Sequence, residues 1–395
     1  MCECKYSPLK ENVEEMFIGP FGSALKNECF VNENEAYCMV YEQKHAIQKT
    51  MDVETRYINE QKYNELKRFN IRGGDIIVSC RGTIGETFIV PDDAPLGIMH
   101  PSIMKIRLKQ GIYDKYYFNL LLKSRLKKHA IEANGSGIKM AISATELGKE
   151  LFPVPSMDKQ LKITNVISKI SIIVELRKKE MFALDELIRA RFVEMFGDPV
   201  HNDKGWATDF VEGLCKEIYG GGTPSKSHPE YYENGNIPWV SAKDMKTEIL
   251  TDSQIHINEE GVANSTAKVV PENSVIMVIR SGILKHTLPV AINAVPITIN
   301  QDLKAFIPGI RVLTRFLAYQ FKMMESDILA GVRAVTADNI EFKTLRKRKL
   351  IVPPIKIQEQ FATFVTEVDK SKVKVQKALD ETQKLFDSLM QQYFG

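Results

Sequence analysis

Apolar residues recur along one stretch of the chain in alternating steps of four and three: Ile163, Ile167, Ile170, Val174, Met181, Leu184, Ile188 and Met195, with Arg177 and Arg191 filling the two remaining slots. That spacing keeps one stripe of an α-helix apolar, and no glycine or proline interrupts it, so a single helix is expected over residues 157–196. A helix of roughly 38 residues is about 57 Å long at ~1.5 Å rise per residue, more than a compact core needs. Adding 198 to each position gives Phe361, Val365, Val368, Lys372, Val375, Leu379, Thr382, Phe386, Leu389 and Tyr393, a second seam in the same register. The first helix ends on Met195-Phe196-Gly197 and the second on Tyr393-Phe394-Gly395. Nearly half the chain is therefore read as an internal duplication.

Two helices with matched seams pack most simply on each other. Residues 198–356 join the end of the first to the start of the second. That join is direct if the helices run antiparallel, which puts two globular segments at opposite ends of a rod and a pseudo-two-fold axis across it. The expected division is 1–156 and 198–356 for the globular segments, 157–197 and 357–395 for the helices.

Within the first segment, Asp75-Ile-Ile-Val-Ser79 and Phe88-Ile-Val90 read as strands joined by a tight turn that carries Arg81 and Thr83. Residues 59–71 and 113–131 read as helices. Leu151-Phe-Pro-Val-Pro155 reads as a strand whose prolines mark the hinge into the long helix. Residues 273–282 parallel 75–82, with one residue inserted ahead of Arg280 relative to Arg81, Leu317 to Phe321 parallel Phe118 to Leu122, and Val352-Pro-Pro354 with Gln358 parallels Val154-Pro155 with Gln160. The framework repeats while the loops differ. The expected fold class is thus α/β (α+β), two mixed segments joined through an antiparallel coiled coil.

Composition narrows the function by exclusion. A chain of 395 residues with 44% hydrophobic and 26% charged content is that of a globular protein with two domains, and no apolar run approaches bilayer length. The six cysteines show no CxxC pairing and are expected to be free buried thiols of a cytoplasmic protein. A net charge of +3 and a pI near 8.3 permit a DNA partner without demanding one.

Catalytic chemistry is hard to find. The only Pro-Pro pair, Pro353-Pro354, is followed by Ile355, not by the aromatic residue that adenine or cytosine amino-methylation motifs carry. No GxGxxG opens a helix after a strand. Gly220 to Lys226 looks like a phosphate loop, but Ser225 stands where glycine must precede the lysine. The histidines have no zinc-hydrolase spacing, and Asp92 and Asp93 lack the paired carboxylates of a metal nuclease. No cofactor or metal is expected in this chain.

The candidate chemistry is instead that of contact with nucleic acid. Glycine-rich turns beside cations and hydroxyls can bring backbone amides and an arginine fork to phosphates or base edges, or they are plain turns with solvated side chains. The candidates are Ser23, Lys26, Arg81, Thr83, Ser136 and Lys139 in one half, and Thr223, Ser225, Lys226, Lys243, Arg280 and Lys285 in the other. Lys123, Arg125, Lys127 and Lys128 form a basic tract that reads as a solvated helix face.

These pieces resemble the specificity subunit of type I restriction-modification enzymes. The likeness rests on Gly19-Pro-Phe-Gly-Ser23, Gly74 to Ser79 with Arg81-Gly-Thr-Ile-Gly85, Gly221-Gly-Thr-Pro-Ser225, Val352-Pro-Pro354 before a helix, and the two Phe-Gly helix ends. The resemblance implies two target-recognition domains that each read one half of a bipartite double-stranded DNA sequence, with the helices setting the gap. It also implies methylation subunits that carry S-adenosylmethionine and restriction subunits that use ATP and magnesium, with no catalysis in this chain. Two departures stand out: Gly-Pro-Phe-Gly-Ser replaces Gly-Thr-Pro-Ser in the first half, so the loop roles are not expected to transfer, and Val-Pro-Ser replaces Val-Pro-Pro at the first hinge, so the two hinges are not expected to be equivalent. Two other functions stay open on the residues alone: a self-sufficient DNA methyltransferase or nuclease with an unfamiliar motif, and a coiled-coil assembly protein with no nucleic-acid role.

Overall fold

The computed structural model describes residues 5–81, 83–136, 143–331, 333–334 and 338–395. Two long helices run without a break, α1 over Met157–Phe196 and α2 over Ile355–Phe394, and their starts differ by the 198 residues of the sequence repeat. The chain divides into two compact units, Met1–Arg177 with Ala378–Gly395, and Lys178–Lys377, so each long helix gives one half to each unit.

The seam residues explain how each half is held. In the first unit Ile163 and Ile167 of α1 share a buried core with Phe394 of α2, and Phe386, Leu389 and Tyr393 pack against it. In the second unit Ile188, Phe192 and Phe196 of α1 share a core with Phe361, Val365 and Val368 of α2. The start of one helix meets the end of the other in each unit, so the helices pack antiparallel as expected. Each such side chain removed from water contributes roughly 1.5–3 kcal/mol. Phe192 was not on the predicted seam; it lies one residue past the Arg191 slot and makes an edge contact with Phe361 at 5.4 Å. Arg191 turns outward to Glu194 at 2.7 Å and lies over the Phe364 ring. Lys372, a cation at a seam position, is compensated by Asp185 of α1 at 2.5 Å and by Glu248 at 3.3 Å.

In the first unit β1 (Val13–Ile18), β2 (Ile76–Ser79), β3 (Thr87–Ile89) and β4 (Ile103–Leu108) form an antiparallel sheet in the order β1-β4-β2-β3. The all-apolar stretch of β2 is buried on both faces, and Phe118, Leu121 and Leu122 of the helix Lys115–Ser136 cover the sheet. A smaller sheet joins Arg56–Ile58, Cys38–Tyr41, Gly97–Met99 and Asn70–Ile71. Asp75 at the head of β2 receives a two-pronged bond from Arg107 of β4, at 2.7 Å for each prong. Lys105, fully buried, donates to the Asn70 carbonyl at 2.8 Å and pairs with Glu15. A buried cation needs such compensation, since desolvation alone costs several kcal/mol, on the order of what one good ion pair returns.

The second unit repeats the plan with β5 (Cys215–Gly220), β6 (Ile249–Leu250), β7 (Val275–Val278), β8 (Val290–Asn293) and β9 (Leu303–Pro308), in the order β5-β9-β7-β8-β6. The first four strands of that order match the first sheet, and β6 is an addition. Its smaller sheet joins His256–Ile257, Ile237–Val240 and Thr298–Ile299. The fold is thus the duplicated mixed α and β architecture that the pattern predicted.

Some expectations need correction. Residues 59–71 are helical only over Glu60–Leu66, and Asn70–Ile71 turns into the smaller sheet. The connection between β2 and β3 is not a tight turn: it is closed by a Gly85 amide bond to the Ser79 carbonyl at 2.9 Å and a Glu86 amide bond to Ser79 Oγ at 3.0 Å. The basic tract is not a uniform solvated face either. Lys123 and Arg125 are half-buried and Lys127 is exposed, while Lys128 lies outside the described side chains.

The two hinges, whose sequences differ, share one latch. Gln160 accepts a bond from the Asp114 amide at 2.9 Å and donates to the Ile112 and Pro155 carbonyls, both at 2.9 Å. Gln358 accepts from the Leu313 amide at 2.9 Å and donates to the Arg311 and Pro353 carbonyls at 3.1 and 2.8 Å. The residue that differs, Ser156 against Pro354, takes part only through its carbonyl, which accepts from the Gln160 amide at 3.0 Å and from the Gln358 amide at 3.3 Å, so the change of side chain leaves the latch intact.

Candidate nucleic-acid interface

Strand register gathers the candidate loops. Ile18 pairs with Met104 and Ser79 with Ile103, so the ends of β1 and β2 lie beside the start of β4. The smaller sheet is tied in at the same edge, where the His100 amide donates to the Tyr41 carbonyl at 2.9 Å and the Cys80 amide to the Ser102 carbonyl at 2.8 Å. Loops 19–26 and 100–102, the helix start at Glu42 to Lys44, and the loop that begins at Cys80 therefore leave from one edge of the first unit.

The second unit repeats these bonds. Gly220 pairs with Lys304 and Val278 with Leu303. The Asn300 amide donates to the Val240 carbonyl at 2.9 Å and the Ile279 amide to the Asp302 carbonyl at 2.8 Å. Loops 221–226, 241–243, 280–286 and 300–302 share one edge. His100 and Asn300 hold corresponding places, as do Ser102 and Asp302, although no sequence motif links them.

Close backbone approach explains the glycines that open both first loops. A Cβ on Gly19 would lie 2.3 Å from the His100 carbonyl oxygen, and one on Gly221 would lie 1.6 Å from that of Asn300. The two loops were expected to be non-transferable because their sequences differ; their anchors correspond. After the anchor they diverge. The second loop is pinned by Trp239, whose Nε1 donates to the Gly222 carbonyl at 2.9 Å, and by Tyr232, whose hydroxyl donates to the Pro224 carbonyl at 2.6 Å.

Of the predicted contact residues, Ser23, Lys26, Arg81 and Thr83 are exposed on the first unit's edge loops, and Thr223, Ser225, Lys226, Lys243, Arg280 and Lys285 on those of the second. Lys26 lies 3.9 Å from Glu28, and Ser225 shares its hydroxyl bond with Ser227 at 2.6 Å. Ser136 and Lys139 lie outside the described side chains and residues. Arg280 is not a solitary fork: its Nε and Nη2 donate to Asp302 Oδ1 at 2.7 and 2.6 Å. Thr223 Oγ1 donates to Oε1 of Gln301, the residue before Asp302. Asn300, Gln301 and Asp302 are not among the candidates, because no motif in the sequence marks them.

Electrostatics differ between the edges. In the first unit Glu42 carries Arg56 and Lys44, the latter at 3.0 Å. Burial raises its carboxyl, but the bonds from Arg56 and Lys44 outweigh burial and hold it below the usual range. Burial lowers His100, with Arg81 among the nearby cations that add to the effect, so its imidazole favours the neutral form. Among the described residues no cluster of three or more His, Cys, Asp or Glu side chains could hold a metal, and no helix is long and apolar enough to cross a membrane. Cys38 and Cys80 are buried thiols, Cys29 and Cys215 half-buried.

Two sheet edges of one plan with unlike polar loops match a known family twice. Residues 11–184 and 203–382 each fit the model of the type I restriction modification DNA specificity domain. The chain belongs to that family. It is 34% identical over 211 residues to a type I restriction enzyme specificity subunit of Escherichia coli, a match that covers 53% of this chain and 49% of that protein. This chain thus spans about half the length of that relative. A specificity subunit of Methanocaldococcus jannaschii is 23% identical over 353 residues, covering 85% of this chain and 80% of the relative. Among solved structures, the S subunit of a type I restriction-modification system from M. genitalium superposes with a TM-score of 0.57 at 13% identity over 100% of this chain and 97% of its own. A structure from a study of complex assembly and conformational transition of the type I system gives 0.61 at 15% identity, over 99% and 97%. These likenesses place the duplicated specificity fold of the family on this chain.

Proposed function

We propose that this chain is the non-catalytic, sequence-specific DNA-binding subunit of a cytoplasmic type I restriction-modification system. Each unit reads one half of a bipartite duplex target through its edge loops, and the paired helices set the spacing and dock two methylation subunits. The observation that carries this reading is the double family match on two units whose loop edges share two backbone bonds, from the His100 and Asn300 amides to the Tyr41 and Val240 carbonyls and from the Cys80 and Ile279 amides to the Ser102 and Asp302 carbonyls, while differing in the side chains presented. Methyl transfer from S-adenosylmethionine and ATP- and magnesium-dependent cleavage belong, on this reading, to methylation and restriction subunits.

Phosphate contacts from Lys26, Lys226, Lys243 and Lys285 would give register and salt-dependent affinity, while Arg81, Arg280 and the hydroxyls face base edges. Exchanging residues 198–356 for those of a relative with another target tests the division of labour. Methylation-site sequencing in cells that carry the exchanged chain should show one altered half-site and one retained. A change in both half-sites, or in neither, refutes the two-reader model.

A further inference from the structure

We propose that Asp302 is a positioning residue that presents Arg280 to a guanine in the half-site read by the second unit, an inference that rests on the DNA-reading function above. Both ends of Asp302 grip residue 280. Its carbonyl accepts from the Ile279 and Arg280 amides at 2.8 and 3.2 Å, and its Oδ1 accepts from Arg280 Nε and Nη2 at 2.7 and 2.6 Å. Its second oxygen, Oδ2, accepts from Asn300 Nδ2 at 3.1 Å, while the Asp302 amide donates to Asn300 Oδ1 at 3.1 Å. The carboxylate is thus oriented by a closed turn before it orients the arginine.

An exposed ion pair by itself contributes little to stability, so its value must lie in geometry. Asp302 occupies the Nε edge of the guanidinium. The other edge, Nη1 with the outer N–H of Nη2, is the donor pair whose spacing matches O6 and N7 of guanine in the major groove. An arginine already held in place loses less rotamer freedom on binding, and it reads a single direction instead of sweeping neighbouring phosphates. Gln301, between the two turn residues, takes the Thr223 hydroxyl and so joins the glycine loop to the same surface.

The duplication supplies an internal comparison. Ser102 stands at the place of Asp302, with its carbonyl bonded by the Cys80 amide at 2.8 Å. Its hydroxyl is engaged with His100 Nδ1 at 2.8 Å and carries no charge with which to hold Arg81. The same framework therefore tethers one arginine by a carboxylate and lacks that tether for the other.

Full-length chain selected against a randomised double-stranded DNA library, with the bound pool sequenced, reads preference at every position of both half-sites. Arg280→Ala and Asp302→Ser should each lower the preference for one G·C pair in one half-site at least tenfold, leaving the other half-site and the salt dependence of binding unchanged. Asp302→Glu, which keeps a carboxylate, should restore part of that preference. The inference is overturned if Asp302→Ser keeps the preference that Arg280→Ala loses, if neither substitution changes it, or if Asp302→Ser lowers the melting temperature and weakens all positions alike. A wild-type chain that selects no sequence overturns the DNA-reading function itself, an outcome distinct from any result with the variants.

Discussion

Replacing the hinge glutamines tests whether the duplicated framework is held at the points where each globular segment meets its helix. Gln358 is fully buried and satisfies one amide, from Leu313, and two carbonyls, from Arg311 and Pro353. Gln358→Leu keeps the volume and removes all three bonds. The half-buried Leu313 amide then lacks an acceptor at about 1–3 kcal/mol, and each carbonyl loses a bond worth about 1 kcal/mol net. Greater apolar burial offsets about 1 kcal/mol, so the expected loss is roughly 2–4 kcal/mol. Gln160→Leu should cost the same within about 1 kcal/mol, because its partners are the same set in the first unit. Gln358→Glu sharpens the test. A carboxylate would face the Arg311 and Pro353 carbonyls with no N–H to offer, so the variant should be least stable at neutral pH and recover as acid protonates it. Urea unfolding, with hydrogen exchange at the Leu313 and Asp114 amides, gives both quantities. A loss under about 0.5 kcal/mol with unchanged exchange would refute the latch.

Other consequences follow from named contacts. Burial raises the Glu248 carboxyl, but the ammonium groups of Lys322 and Lys372 outweigh it and hold it at about 2, against an ordinary 4.5. Because the folded value is depressed, the stability it contributes is present above pH 4.5 and is lost as pH falls towards 2. The full shift corresponds to about 3.4 kcal/mol, but the side chain is 41% exposed, so solvent screening reduces the expectation to ~1 kcal/mol. Glu248→Gln should therefore lower unfolding stability at pH 7 by that amount and match wild type near pH 2; a gap that widens in acid contradicts the assignment. Gly221→Ala sets a Cβ against the Asn300 backbone and should cost about 1–3 kcal/mol, with loss of selectivity in one half-site, while Gly22→Ala, with nothing within 4 Å, should be neutral in thermal melts and DNA selection. Equal effects of the two substitutions would show that the Gly221 approach does not shape the loop.

Several features of the chain depend on order along it and were legible from it. A heptad stripe is a local property, so Ile163 to Met195 and their partners 198 residues on announced both helices. Antiparallel packing followed from the length of the join between them. The prolines of Leu151 to Pro155 and of Val352 to Pro354 mark the two hinges, Gln160 and Gln358 recur behind them at the repeat offset, and the small residues at Gly19 and Gly221 mark the loops.

What only the tertiary structure decided involves residues far apart in sequence. Gly220 meets Lys304 and Ile18 meets Met104 because β strands close over scores of residues, and no local period encodes such pairing. The Asn300 to Asp302 turn is therefore silent in the sequence: its polar triplet acquires meaning only when β9 starts beside the end of β7 and sets Asp302 under Arg280. Phe192 entered the core for a related reason. Arg191 holds the predicted seam slot, but a guanidinium is better solvated at the surface, and the helix face turns enough for the neighbouring phenylalanine to meet Phe361. Local periodicity sets the elements; the partner for each buried face, and the side chains that share a loop edge, are set by closure of the sheets.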